Sequence, residues 1–317
     1  MDREGSYLEG RGYHAPVLVR EVLDYLDPKG EEWIVDGTVG GGGHARAVLE
    51  RCPGCRVLGV DRDPDALEAA KKSLGDFGGR VRLVAGRFDE VLDRPEAPDS
   101  VSGVLLDLGV SSHQIDSTAR GFTFREGAPL DMRMEGAAGK GPSAADLLNH
   151  EDEATLTRIF RDYGEERRGR ALARRVVRRR TDRPFMTSDD LVAVFADVLR
   201  RDPQPKEKAR IFQALRIAVN EELRALEESL PRFRERLGPA GRIVVISYHS
   251  LEDRIVKNAF REWSRECVCP PALPVCRCRG HALGEVLTRK PVMADEEEVM
   301  RNPRSRSARL RAWRKAA

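Results

Sequence analysis

Long hydrophobic runs are missing from this sequence, and no stretch of about 18 uncharged apolar residues could cross a bilayer as a helix. The N-terminal stretch MDREGSYLEGRGYHAPVL carries charges of both signs and lacks the continuous apolar core of a secretory signal. Of the 317 residues, 40% are hydrophobic and 34% are charged, a composition typical of a soluble globular protein with about two domains. We therefore expect a cytosolic protein that does not enter membranes.

An excess of one charge sign is also missing, because 55 basic residues nearly balance 52 acidic ones and the net charge is +3. A net charge so close to zero does not indicate a binding partner, but arginine is unevenly distributed along the chain. Eleven arginines lie between Arg158 and Arg183, and the last 17 residues carry seven basic side chains and no acid. Guanidinium groups make bidentate contacts with phosphates, so we favour RNA contact. The alternative is a solvated helix face, since Leu172, Val176 and Val177 recur at helical spacing.

Short apolar runs alternate with helix-length segments in the first half of the chain, at 33–36, 56–61, 80–85 and 103–107. This alternation predicts βαβ units and a mainly parallel sheet with helices on both faces. Between 112 and 229 only helical patterns occur, at 143–149, 153–162, 167–180, 188–200 and 206–230. A strand pattern returns at 241–247. We predict an α/β domain made of 1–112 and 230–317, interrupted at 113–229 by an all-helical domain that helps to hold RNA.

The strongest candidate site is the segment 36–45, DGTVGGGGHA, which leaves the first predicted strand and enters a helix. Consecutive glycines let a ligand approach the backbone and allow φ angles that other residues avoid. Gly40, Gly42 and Ala45 satisfy a loose dinucleotide fingerprint, which is weak by itself. Asp36 favours another ligand, because a carboxylate before the loop suits a cofactor with cationic groups better than a pyrophosphate. S-adenosylmethionine has an ammonium and a sulfonium group and no phosphate, and it fits this requirement.

Two further acids follow predicted strands. Asp61 ends the second strand, where it could accept hydrogen bonds from ribose hydroxyls, and Asp107 ends the fourth. Ligands of doubly wound folds bind outside the carboxyl ends of the strands, so we expect Asp36, Asp61 and Asp107 to converge on one site. The alternative is that each is a turn or helix-capping aspartate.

Around these positions the chain resembles a known family, the MraW family of small-subunit ribosomal RNA cytosine-N4 methyltransferases. The resemblance covers nearly the whole chain, and its motifs occur in the family's order. They are HAPVL at 14–18, DGTVGGGGH at 36–44, DRDP at 61–64, DLGVSS at 107–112, SYHSLEDR at 247–254 and NPRSRS at 302–307. The resemblance implies a class I (Rossmann-like) methyltransferase fold with a helical insertion, and a target cytosine in the decoding region of 16S ribosomal RNA or the small subunit.

The resemblance also implies which residues contact S-adenosylmethionine. These are Gly42, Gly43, His44, Asp61, Phe88, Asp107 and Gln114. Phe88 lies just past the third strand, where an aromatic ring could pack beside adenine, although an ordinary core phenylalanine is an equal alternative.

Cytosine N4 is a weak nucleophile because its lone pair is delocalised into the ring. We hypothesise that Asp107, or a nearby backbone carbonyl, accepts an N4 hydrogen and localises that lone pair as the methyl group moves. Many amine methyltransferases have two prolines and an aromatic residue after this acid, whereas this chain has Leu-Gly-Val-Ser-Ser. The residue that clamps the base is therefore open, with five candidates: His14, Ser111, His113, Tyr248 and His249.

Six cysteines are present, and four of them lie within twelve residues as Cys267, Cys269, Cys276 and Cys278. In a reducing compartment we expect thiols or metal ligands rather than a disulfide framework. Four thiolates could bind zinc, but structural zinc sites usually have wider spacing than Cys-x-Cys, so we predict no metal. Cys52 and Cys55 are interpreted as part of a turn before the second strand.

Several alternatives remain open on the sequence alone. The same chemistry could act on cytosine N4 or adenine N6 of DNA. A nicotinamide-dependent dehydrogenase would use the glycine loop differently, and Asp36 speaks against it. A non-enzymatic ribosome-assembly factor could retain the fold. A homodimer is also possible.

Overall fold

The computed structural model describes residues 16–270, 275 and 277–317, except for the side chain of Ser112. Its contacts divide the chain into two compact units, one made of Met1–Gly109 with Leu223–Ala317 and the other of Val110–Glu222. The sequence pattern placed the boundaries at 112 and 229. The second boundary differs because 206–230, predicted as one helix, is two helices. The first ends at Asn220, and Glu221 adopts a left-handed conformation with φ of 50°.

The first unit contains a seven-stranded sheet. Its strands are β1 (Trp33–Asp36), β2 (Arg56–Asp61), β3 (Val81–Ala85), β4 (Val101–Asp107), β5 (Leu237–Ser247), β6 (Gly284–Val286) and β7 (Arg309–Lys315). The strand order is β3-β2-β1-β4-β5-β7-β6. Strands β1 to β5 are parallel, whereas β7 runs antiparallel to β5 and β6 runs antiparallel to β7. The predicted α/β class and the five parallel strands are confirmed, and β6 and β7 were missed.

Strand β7 was missed because its sequence, RLRAWRK, resembles the phosphate-binding tail that we predicted. Arg311 is buried inside the first unit, and its guanidinium donates to both carboxylate oxygens of Asp253 at 2.6 and 3.2 Å. Arg301 pairs with Glu297. Tertiary contacts thus pair part of the C-terminal arginine cluster with carboxylates, and phosphate binding by the other arginines of the cluster stays a prediction.

Helices cover both faces of the sheet. They are α1 (Val19–Leu26), α2 (Gly43–Arg51), α3 (Pro64–Leu74), α10 (Glu222–Arg236), α11 (Ser250–Trp263) and α12 (Glu296–Arg301). Successive strand residues point to opposite faces, so Ile34 packs into a core with Leu26, and Val35 packs into a second core with Phe233 and Phe260. Burial of both faces explains why these strands are continuously apolar.

The regular elements of the second unit are helices in its described residues, and turns and one isolated β-bridge between Pro129 and Thr187 connect them. Its helices are α4 (Ser112–Asp116), α5 (Ala144–His150), α6 (Glu153–Arg158), α7 (Gly169–Arg180), α8 (Ser188–Leu199) and α9 (Pro205–Asn220), with a π-helical turn at Ile159–Tyr163. Its own core contains Phe160, Leu172, Phe195 and Leu215. No helix in the described part of the chain is both long and apolar enough to span a membrane.

We expect Trp313→Ala to lower the free energy of unfolding by about 3–5 kcal/mol, because it removes a large side chain from a closed core. Trp313 is fully buried on β7, stacks on Phe260 and meets Trp263 edge-on with ring centroids 5.2 Å apart. Urea unfolding measures the change. Met300, which is 76% exposed, provides the control, and Met300→Ala should change stability by less than about 0.5 kcal/mol. Equal effects for the two variants would contradict this packing.

Candidate active site

The glycine loop joins β1 to α2 and has the backbone geometry that its sequence predicts. Gly40 and Gly42 have φ of 52° and 86°, which favours glycine at both positions. A Cβ atom on Gly37 would lie 2.5 Å from the Leu106 side chain and 3.0 Å from Cβ of Phe88. The loop therefore lies close to β4 and to the segment after β3.

Asp36 is the most unusual carboxylate of the site. Its side chain is 2% exposed, Oδ1 accepts a hydrogen bond from the amide of Thr38 at 3.2 Å, and Oδ2 has no hydrogen-bond partner among the described residues. Burial raises the pKa of Asp36 to about 7; Asp107 and Asp61 add to the rise and His44 opposes it. A buried carboxylate oxygen without a partner is costly, so the site is suited to a cationic ligand.

Asp61 ties the end of β2 to the glycine loop. Its Oδ2 accepts from the amide of Gly40 and its Oδ1 from the amide of Asp63, both at 2.9 Å. Burial raises the pKa of Asp61 to about 6, although these backbone hydrogen bonds favour the charged form. The turn-aspartate interpretation is thus correct for part of its role. A carboxylate has further lone pairs with which it can accept ligand hydroxyls.

Asp107, at the end of β4, has a different set of partners. The hydroxyl of Tyr248 donates to Oδ1 at 2.9 Å, and Nδ1 of His44 lies 3.7 Å from Oδ2. Nε2 of His44 faces the carbonyl of Val17 at 2.8 Å, which requires a proton on Nε2. The amide of Asp107 donates to the hydroxyl of Thr38 at 2.6 Å. Asp107 is held on both sides while its side chain keeps 23% exposure.

The charges and burial around Asp107 and Tyr248 favour one hydrogen-bond arrangement of these two side chains at neutral pH. Burial raises the pKa of Asp107, while His44 and the hydrogen bond from Tyr248 oppose the rise. Burial and the negative charge of Asp107 raise the pKa of Tyr248 well above its usual value. Tyr248 therefore stays protonated and donates to Asp107, which remains an acceptor.

The three aspartates come together because β2, β1 and β4 are adjacent and parallel, so their carboxyl ends share one edge of the sheet. Within the first unit this edge also carries the glycine loop with Gly43, His44 and Phe88. Phe88 packs against the core cluster of the sheet as well, so its core interpretation also holds. Thr38 and the carbonyl of Val17 were missed by sequence reasoning; only the motif DGT hinted at Thr38.

Other candidates have local structural roles. Gln114 and Ser111 belong to the helical unit, where they form a reciprocal capping box at the start of α4. His113 is exposed on the same helix. His249 caps α11 and contacts Glu252 at 3.1 Å. His14 lies outside the described residues.

The cysteines behave in two ways. Cys52 and Cys55 form a disulfide in the turn between α2 and β2, so the turn is confirmed and the expectation of thiols is wrong for this pair, which the fold brings together. The sulfur atoms of Cys267, Cys269 and Cys278 lie within 4.8 Å of one another. Cys276 lies outside the described residues.

The sheet order, the antiparallel β7 and the acid-flanked glycine loop define a class I methyltransferase. The family model of the MraW methylase family matches residues 11–316, and the chain belongs to this family. It is an S-adenosylmethionine-dependent methyltransferase, which rules out the dehydrogenase alternative.

Relatives with assigned names agree with this assignment. The chain is 53% identical to "Ribosomal RNA small subunit methyltransferase H" of Gemmatimonas aurantiaca, with 96% of each chain covered. It is 47% identical to the protein of the same name from Heliobacterium mobile, covering 96% of this chain and 99% of the relative. A solved rRNA methylase from Streptococcus thermophilus aligns with a TM-score of 0.42 at 9% identity over 94% of each chain. The assignment rests on the sequence relatives.

We expect Asp36→Asn to raise the stability of the ligand-free protein at pH 8 and to weaken S-adenosylmethionine binding. A carboxyl group with a raised folded pKa holds its proton in the folded state at pH 4 to 7, so its contribution to stability falls as pH rises through that window. The gain for the variant is at most about 4 kcal/mol, since one pKa unit corresponds to about 1.4 kcal/mol. Urea unfolding at several pH values measures it.

Calorimetry measures the binding half of this prediction. Affinity of the unaltered protein should increase as pH rises from 6 to 8, because Asp36 ionises with a pKa of about 7. Asp36→Asn should bind about tenfold or more weakly and without this pH dependence. The exposed Asp76→Asn is the matched control. Equal affinity and equal pH dependence for both variants would refute the role of Asp36.

Proposed function

We propose that this protein transfers the methyl group of S-adenosylmethionine to the N4 amine of a cytosine in the decoding region of 16S ribosomal RNA. The relatives' names support a small-subunit ribosomal RNA substrate. The observation that carries the proposal is the arrangement at the strand ends, where the unpartnered oxygen of Asp36 lies in the same unit as the Asp107–Tyr248 pair. One carboxylate suits a cationic methyl donor, and the other suits an amine.

The cofactor residues are part of this proposal. Asp36 would interact with the cationic part of S-adenosylmethionine, and Asp61 would accept hydrogen bonds from its ribose. The remaining contacts would come from Gly42, Gly43, His44, Phe88, Asp107 and Gln114. Support comes from the close backbone approach that the glycine loop allows and from the position of Phe88 beside Gly37.

Because the methyl donor is already reactive, the main task of the protein is to position the amine and the donor. The sulfonium of S-adenosylmethionine makes its methyl group electrophilic, so the enzyme must mainly align the amine and exclude water. Asp107 accepts a hydrogen of the N4 amine, which localises the nitrogen lone pair. Tyr248 fixes one oxygen of Asp107 by its 2.9 Å hydrogen bond. The amine proton released after transfer passes to Asp107 or to solvent, and the raised pKa of Asp107 favours this acceptance.

The helical unit supplies a candidate RNA surface. In α7, Leu172 and Val176 are buried, which leaves the opposite face of the helix to its arginines. Several arginines of the cluster are neutralised, including Arg175 by Asp197 and Arg179 by Asp190. Four-residue spacing places Arg170, Arg174 and Arg178 on one exposed face. No carboxylate of the described residues pairs with Arg170 or Arg178, so these two side chains are able to bind phosphates.

A test of the function compares methyl transfer from labelled S-adenosylmethionine to small ribosomal subunits, free 16S RNA and duplex DNA. The subunits come from cells that lack this protein, and the labelled nucleotide is then mapped. We expect one cytosine in the decoding region to be labelled. Asp107→Asn should lower the rate by about 10²- to 10⁴-fold, the usual contribution of a positioned proton acceptor. Tyr248→Phe should lower it less, because Asp107 itself remains.

The control for this prediction is cofactor affinity, which should stay measurable in both variants. Labelling of DNA instead of RNA would favour the DNA methyltransferase. Binding of S-adenosylmethionine without transfer to any small-subunit RNA would favour the assembly factor. An Asp107→Asn variant with full activity would remove Asp107 from the mechanism.

We expect the double variant Arg170→Glu with Arg178→Glu to raise the KM for the RNA substrate and to leave kcat unchanged. Each lost phosphate contact should reduce the salt slope of binding by about one. The control is Lys71→Glu with Lys72→Glu, which makes the same charge change on the exposed face of α3. A matching loss of affinity in both double variants would indicate a nonspecific charge effect and contradict the α7 surface.

The proposal includes a cytosolic location, because assembling small ribosomal subunits are found in the cytosol. The homodimer stays a prediction. Light scattering of the purified protein determines the oligomeric state.

A further inference from the structure

The segment 264–283 connects α11 to β6 and is called here the cysteine loop; the structure describes 264–270, 275 and 277–283 of it. The loop is closed at its base, where the amide of Leu283 donates to the carbonyl of Trp263 at 2.8 Å. Arg279 ties it again to the end of α11, donating to the carboxylate of Glu262 at 2.9 Å and to its carbonyl at 2.6 Å. Loops longer than about 12 to 15 residues without regular structure are uncommon in compact domains. A connection of this length therefore calls for a structural or functional explanation.

Three cysteines meet inside the loop. The Sγ atoms of Cys267 and Cys278 are 3.8 Å apart, and those of Cys267, Cys269 and Cys278 all lie within 4.8 Å of one another. Zinc–sulfur bonds of about 2.3 Å in a tetrahedron place two sulfur atoms about 3.8 Å apart. The separation of Cys267 and Cys278 equals the edge of such a tetrahedron, and Cys269 lies close enough to both sulfur atoms to complete one face after a small movement.

Backbone amides point at two of these sulfur atoms. The amide of Val268 donates to Sγ of Cys278 at 3.3 Å, and the amide of Arg277 donates to Sγ of Cys269 at 3.4 Å. Both hydrogen bonds fix the position of a sulfur atom relative to the loop backbone. They also orient the sulfur atoms, as outer hydrogen bonds do around metal ligands. This observation is independent of the sulfur–sulfur distances.

We propose that Cys267, Cys269 and Cys278 bind a zinc ion that orders the cysteine loop. Thiolates select zinc among the common divalent ions of the cell, and three of them leave one corner of the tetrahedron for a further donor. The Cys-x-Cys spacing is narrower than that of most structural sites, but the fold joins Cys267 and Cys269 to Cys278 from the far end of the loop. The ion lies outside the strand-end site and has a structural role.

The test uses the full-length protein purified under reducing conditions without added metal. Elemental analysis should find about one zinc per chain, as expected for a structural site. Exchange with cobalt chloride should produce the visible absorption bands of tetrahedral cobalt with thiolate ligands. Cys267→Ser, Cys269→Ser and Cys278→Ser should each reduce bound zinc and these bands. The control, Cys52→Ser with Cys55→Ser, should keep both.

A second measurement does not depend on variants that fold poorly. Chelation of zinc from the unaltered protein should increase amide exchange within 264–283 by about tenfold or more, while exchange in β1 and β4 stays constant. The proposal is overturned if purified protein and cobalt titration show no stoichiometric metal. It is also overturned if metal survives replacement of all three cysteines, or if mass spectrometry finds these thiols joined as disulfides.

Discussion

Burial of carboxylates at the ends of three adjacent parallel strands is the constraint on which the site depends. Asp36, Asp61 and Asp107 end β1, β2 and β4, and each has a pKa raised first by its own burial. The protein compensates Asp61 with backbone amides and Asp107 with Tyr248, but it leaves one oxygen of Asp36 without a partner among the described residues. A buried carboxylate oxygen without a partner favours the binding of a cationic ligand.

The glycine loop contributes to the same effect. It lets the backbone pass close to β4 and to Phe88, and its amide at Gly40 holds Asp61 in place. His44 lies in the first turn of the helix that follows, between Val17 and Asp107. The loop thus positions two of the three acids, in addition to making room for a ligand. The short glycine motif is therefore informative about function, because it indicates the ligand site and the positions of the acids beside it.

The residues proposed for chemistry lie in the sheet unit, and the surface proposed for RNA lies in the helical unit. The sheet unit holds the acids, the loop and Tyr248, whereas the helical unit has its own core and presents arginines on α7. Arginine density alone was a poor guide. In the sheet unit Arg311 became a buried partner of Asp253, and in α7 about half of the cluster is paired, so only the unpaired face is a candidate for RNA.

The sequence alone was enough to predict the α/β class, the five parallel strands, the glycine loop and the three acids. Each of these features depends on a pattern that extends over only a few consecutive residues. The sequence alone could not show β7, since Arg311 becomes buried only when Asp253 is brought opposite it. The same holds for the Tyr248–Asp107 bond, whose partners are 141 residues apart. The meeting of Cys267 with Cys278 was likewise decided by packing, because only the folded chain sets distances between side chains that are apart in the sequence. The break at Glu221 and the Cys52–Cys55 bond are local, but they depend on the backbone conformation that the folded chain adopts at these positions.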